Sequence, residues 1–233
     1  RMRNLVLSAS DVTTERDVIL EERSQRIDSQ PEALFSEQLD AAQYLNHPYG
    51  TPTIGWRSEM EQLTRQDALD WYQHYYAPNN ATLIVAGDVD PKEVEKLAET
   101  YYGPLKPSDG IVDRVRPVEP PQLAERRLQF TDPNISQPYV TRSYLAPERN
   151  PGDQKKAAAL TFLSALLGGN SQTSLLSRAL VFDQKIAIAT GASYDGTSLD
   201  PTTFSVYVAP APGVKLNDAE KAMDTAITAE NWR

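Results

Sequence analysis

The chain has 233 residues, 40% of them hydrophobic and 24% charged, a balance that belongs to globular domains and excludes a disordered chain. Its 32 acidic and 23 basic residues give a net charge of −9, which argues against nucleic acid as a partner, because phosphates need a basic face. There is no cysteine, so disulfides, thiolate metal ligands and a cysteine nucleophile are excluded, and no apolar run approaches the ~20 residues of a membrane span.

In chain order, Ser10 is read as the N-cap of a helix over residues 11–26. Pro31 suits the first turn of a second helix that runs to about residue 45. Residues 46–52 carry two prolines and a glycine and break the pattern. Thr64 caps a helix bearing Leu69, Trp71, Tyr72 and Tyr76, and residues 77–80 form a turn. The run 81–87 (ATLIVAG) is short, almost wholly apolar and bounded by turn residues, which predicts a buried strand. Asp90 and Pro91 open a helix that stops near Gly103.

Residues 104–125 hold five prolines among mixed charges and read as a linker between domains at 1–103 and 126–233. Beyond it the pattern predicts a strand at 138–145, a helix at 153–167 ended by Gly168 and Gly169, and a short helix at 173–181. Strands follow at 185–194 and 203–209. Asn217 is read as the cap of a last helix, with Glu220 three residues on as in a capping box, and that helix is read as continuing to the final residue.

Two acids stand apart from this inventory. Glu15 and Glu22 lie seven residues apart, about two helical turns, so both project from one face, with Val18 and Ile19 between them. A carboxylate level with apolar side chains is costly to bury unless a cation, a hydrogen-bond donor or a metal meets it. A solvated helix is the plainer reading, since Arg16, Arg23 and Arg26 are near enough in sequence to pair with these acids. The two histidines, His47 and His74, are 27 residues apart, each without a partner at helical spacing. A histidine before a proline in a loop, or among aromatics on a helix, is more often structural than a ligand.

Residues 14–22 (TERDVILEE) resemble the segment of pitrilysin/insulinase zinc peptidases that supplies the third zinc ligand. The other two ligands of that inverzincin class come from His-x-x-Glu-His. Residues 47–56, 71–90, 166–170 and 174–180 resemble further segments of the family, in the right order. The resemblance implies an α+β fold of two domains, each a mostly antiparallel sheet with packed helices. It implies that Glu22 is a zinc ligand and that Glu15 is the accessory acid that orients the metal site.

It further implies zinc-dependent endopeptidase action on peptides or small unfolded proteins, and a homodimer or a heterodimer with a paralogous subunit. A non-catalytic partner subunit of a peptidase or processing complex is the alternative. No His-x-x-Glu-His occurs in these residues, and in the family it lies upstream of the Glu22 position. The chain is therefore read as part of a longer protein: the end of a first domain, the linker and the start of a second. Zn²⁺ is expected in the intact protein, and these 233 residues alone are expected to be metal-free and inactive. The absence of cysteine does not choose a compartment; export, common among bacterial members, makes the periplasm the expectation.

Overall fold

The structure, a computed structural model, describes residues 4–228. The continuation of the last helix past residue 228 therefore lies outside the described residues. The chain forms two compact units, one from the residues up to Gln30 with Thr51–Pro117, the other from Pro31–Gly50 with the residues from Val118 onward.

The first unit opens with α1 (Ala9–Arg23). Its cap is Ser8 and not Ser10: the Ser8 hydroxyl accepts the Asp11 N–H at 3.1 Å, and Asp11 returns a carboxylate oxygen to the Ser8 N–H at 2.8 Å. Ser10 is one residue inside the helix, where its hydroxyl meets that of Ser8. Ser8 takes the cap because its reciprocal box with Asp11 satisfies two helix-end groups at once. A wide π-type turn, Ser24–Asp28, continues α1.

The chain then supplies α2 (Pro31–Gln43) to the second unit and returns with α3 (Arg57–Met60) and α4 (Arg65–Tyr75). Thr64 caps α4 as the sequence indicates, in a box with Asp67. α5 (Pro91–Tyr101) follows, its cap Asp90 accepting the Lys92 N–H at 2.8 Å.

The buried strand expected at 81–87 is not formed. These residues pair with no strand among the described residues, and Ile84 is 82% exposed. An apolar run specifies a strand only where a neighbour accepts its hydrogen bonds, and none is at hand.

The second unit is built on a three-stranded antiparallel sheet in the order β1-β3-β2, with β1 Val140–Ala146, β2 Ala187–Tyr194 and β3 Thr202–Pro210. Tyr144 pairs with Phe204 across one ladder and Ser193 with Ser205 across the other. Phe204, Val206 and Val208 alternate to one face, as period-two patterning requires, and join Leu167, Leu176, Leu180 and Met223 in the core. Those last four come from α6 (Lys155–Gly168), the turns before and within a π-helical segment Ser177–Asp183, and α7 (Leu216–Thr228).

Gly168 ends α6 hard against β2: a Cβ there would lie 2.0 Å from the Ala192 nitrogen. Close approach, together with helix termination at Gly169, explains the glycine pair. α7 begins at Leu216, so Asn217 lies inside its first turn and is not the cap. Glu220 closes no box either; its carboxylate takes Arg127 at 2.9 and 2.6 Å and Arg142 at 2.9 Å. Two guanidinium forks outcompete a backbone N–H for one carboxylate.

Within the same unit the end of α2 is clasped by polar groups. Arg126 donates to the carbonyls of Ala42 and Gln43, a cation on the negative end of the helix. The Glu119 carboxylate accepts the N–H groups of Leu45, Asn46 and His47 at 2.7, 3.0 and 2.9 Å. His47 is buried, with Nε2 3.3 Å from Asp200 and Nδ1 accepting the Tyr49 N–H at 3.2 Å. An imidazole committed at both nitrogens to its own loop and to Asp200 is a structural histidine.

Candidate functional site

α1 of the first unit carries the two acids. On an α-helix each residue advances by about 100°, so residues 12, 16, 19 and 23 fall on one face and residues 15 and 22 lie about a quarter-turn round from it. The structure buries the first set more than the second: Arg23 is 4% exposed and Val12, Arg16 and Ile19 are partly covered, whereas Glu15 and Val18 are exposed. Glu22 is half-buried, and its Oε1 lies 3.1 Å from Arg26 Nη1.

The three arginines divide in a way the sequence does not announce. Arg26 pairs with Glu22, one turn away. Arg16 and Arg23 turn instead to backbone carbonyls, donating to Leu63 at 3.1 Å and to Gly55 at 2.9 Å. Arg23 also lies 3.2 Å from Asp28, which takes Arg57 at 2.7 Å through its other oxygen. These two arginines are the residues that reading the sequence for pairs with Glu15 and Glu22 misassigns. No residue type at 55 or 63 signals an acceptor, because the acceptors belong to the main chain.

Thr14, Asp17, Val18, Glu21, Glu22 and Gln25 share one solvent-facing side of α1 and the turn that continues it. Gln25 donates to Glu21 at 2.9 Å, and the Glu22 side chain stays 43% exposed beside Arg26. Glu22 thus offers one hard oxygen donor in an accessible place, which fits a single ligand position of a zinc site. Among the described residues no group of three or more His, Cys, Asp or Glu is placed to hold a metal ion. His74, on α4, packs edge-on against Tyr75 at 4.3 Å, and an added Cβ on Gly110 would come 2.9 Å from its ring. His47 is committed within the second unit, as described.

The helical first unit, the antiparallel sheet with helices of the second and the acid-bearing α1 define an α+β chain of the pitrilysin type. The family described as peptidase M16 inactive domain matches residues 62–229, and this chain belongs to it. Glu15 and Glu22 lie ahead of the matched residues. The zinc protease PqqE of Helicobacter pylori is 29% identical over 224 residues, covering 94% of this chain and 49% of that protein. A probable mitochondrial-processing peptidase subunit beta of Schizosaccharomyces pombe is 36% identical over 107 residues, 46% of this chain and 23% of that protein.

Among solved structures, a protease from Helicobacter pylori superposes with a TM-score of 0.75 at 26% identity, covering 96% of this chain and 53% of that one. The family resemblance read from the sequence is thereby borne out, as is the α+β fold it implied. The chain spans about half the length of the curated relatives that match nearly all of it. Among the described residues no helix is long and apolar enough to cross a membrane.

Proposed function

We propose that this chain is part of a zinc-dependent endopeptidase acting on peptides or small unfolded proteins, in which Glu22 is one of the zinc ligands. Glu15, two turns earlier on the same face, is the accessory acid that orients the metal site. The observation that carries the reading is the open, half-buried Glu22 carboxylate on α1 of a chain whose relatives are named zinc proteases. The remaining ligands and the proton-transfer group lie outside the described residues, so these residues alone hold no complete site.

Zinc, when bound, polarises a carbonyl and lowers the pKa of its water. What this chain's own residues do is present one oxygen donor and keep it in place. The domain division at 1–103, 104–125 and 126–233 belongs to the same reading, with α1 in the zinc-site domain. So does assembly with an identical or a paralogous subunit, supported by a relative named as a subunit of a processing peptidase.

The test is zinc content and cleavage of a quenched fluorescent peptide library, measured on the full-length protein and its Glu22→Gln variant side by side. Stoichiometric zinc and cleavage that both fall in the variant support the assignment. A wild-type protein that binds no zinc and cuts nothing, with candidate partner subunits present, overturns it and makes the protein a non-catalytic subunit.

A further inference from the structure

Each acid of the pair is followed directly by an arginine, Glu15 by Arg16 and Glu22 by Arg23, so the arginines repeat the same seven-residue interval one position on. Both arginines reach across to main-chain carbonyls of one neighbouring segment, residues 55–63, at its two ends: Gly55 at 2.9 Å and Leu63 at 3.1 Å. Two anchors separated by about two turns fix a helix against rotation about its own axis as well as against sliding.

The Gly55 carbonyl is itself set by a turn that only glycine enters freely, with φ of +90°. At the far end the π-type turn Ser24–Asp28 widens the helix by one residue per turn and carries Asp28 back to Arg23 Nε at 3.2 Å. Arg57, at the start of α3, closes the group on the other Asp28 oxygen at 2.7 Å.

We infer that Arg16 and Arg23, with Asp28 and Arg57 behind Arg23, are positioning residues that fix the rotation of α1 and so hold Glu15 and Glu22 on its solvent side. The inference rests on the reading of Glu22 as a ligand. Arg23 is the stronger anchor because its guanidinium serves a carbonyl and a carboxylate at once, which a lysine ammonium cannot do in the same plane. Arg16 makes one bond, which a lysine can replace. The main-chain acceptors need no particular side chain at 55 or 63 beyond the glycine's conformation.

The test has two parts. In the 233-residue chain, Arg23→Lys is expected to raise amide exchange across residues 20–28 about tenfold while the far-UV spectrum stays that of the wild type. In the full-length protein, zinc affinity is read by chelator competition and ligand geometry by the visible bands of the cobalt-substituted form. Arg23→Lys and Arg16→Ala are expected to weaken zinc about tenfold and shift the cobalt bands, and Arg16→Lys to restore both.

Should Arg23→Lys fail to fold, Asp28→Asn loosens the same anchor and carries the comparison. Loss of zinc in Glu22→Gln with wild-type affinity and cobalt bands in the arginine variants overturns the positioning role and leaves the ligand assignment standing. Full zinc retention in Glu22→Gln overturns the assignment itself, and unchanged exchange at 20–28 overturns the anchoring whatever the metal does.

Discussion

The carboxylate of Glu119 receives the backbone N–H of His47 at 2.9 Å, the third of three consecutive main-chain donors that converge on one side chain. Burial works against the charged carboxylate, yet the donors at Leu45, Asn46 and His47, with the His47 ring nearby, outweigh it and hold Glu119 below the ordinary range. Replacing Glu119 by alanine leaves three N–H groups without this acceptor. The expected loss of stability is about 3 kcal/mol, read as a lowered denaturation midpoint with an unchanged slope. A loss under about 0.5 kcal/mol would mean that water replaces the carboxylate at no cost.

Glu220 is expected to make the second unit's stability pH-dependent. Side-chain hydrogen bonds from Arg127 and Arg142 hold its carboxyl down at about 2 from 4.5. A depressed carboxylate stabilises the fold above its unfolded value and loses that contribution as pH falls through the folded one. Stability is therefore expected to be flat in this respect above about pH 5 and to fall between about 4.5 and 2. Urea midpoints across that window check it: Glu220→Gln should flatten the slope there and lower stability at pH 7, and a wild-type slope in the variant would remove Glu220 from the account.

Gly168 is expected to tolerate no side chain. Its Cβ position meets the Ala192 nitrogen at 2.0 Å and the Gly191 carbon at 2.3 Å, both main-chain atoms that cannot swing aside. Gly168→Ala forces α6 off β2 and should cost about 3 kcal/mol or more. Gly169→Ala strains a different place, its Cβ meeting the Ala165 Cα at 2.7 Å within its own last turn, so it reports on helix termination and not on the approach to β2. Equal melting temperatures for Gly168→Ala and the wild type would refute the close approach.

How much of this was legible in the sequence differs by the range of the interaction involved. The cap of α4 was, because Thr64 and Asp67 satisfy each other within four residues. So was the sheet strand at 203–209, where alternation puts Phe204, Val206 and Val208 inward. Glu15 and Glu22 stand out through their spacing and their resemblance to a family segment, and their roles are proposals. The roles of Arg16, Arg23 and Glu220 were not legible: their partners are a Leu63 carbonyl, a Gly55 carbonyl and arginines up to 93 residues away. Local pattern favoured ion pairs along α1 and a box at α7, and longer-range donors and acceptors won both. Residues 81–87 failed for the opposite reason, since their apolar pattern asks for a neighbour that the described residues do not supply.

That unpaired run makes its own prediction. Ile84 at 82% exposure, with Leu83 and Val85 also exposed, contributes little to the stability of the first unit in this chain. Ile84→Lys is expected to change the unfolding free energy by less than about 0.5 kcal/mol. Contiguous exposed apolar residues with extended-chain preference favour association edge to edge, so the same change should lower self-association of the 233-residue chain at high concentration. Sedimentation of both proteins over a range of concentrations, alongside their thermal transitions, measures the two quantities separately. A variant that unfolds well below the wild type would show that the run is buried in solution, and a variant that associates as strongly would place the sticky surface elsewhere, with the exposed apolar face of α5 at Leu97 and Tyr101 the next to alter.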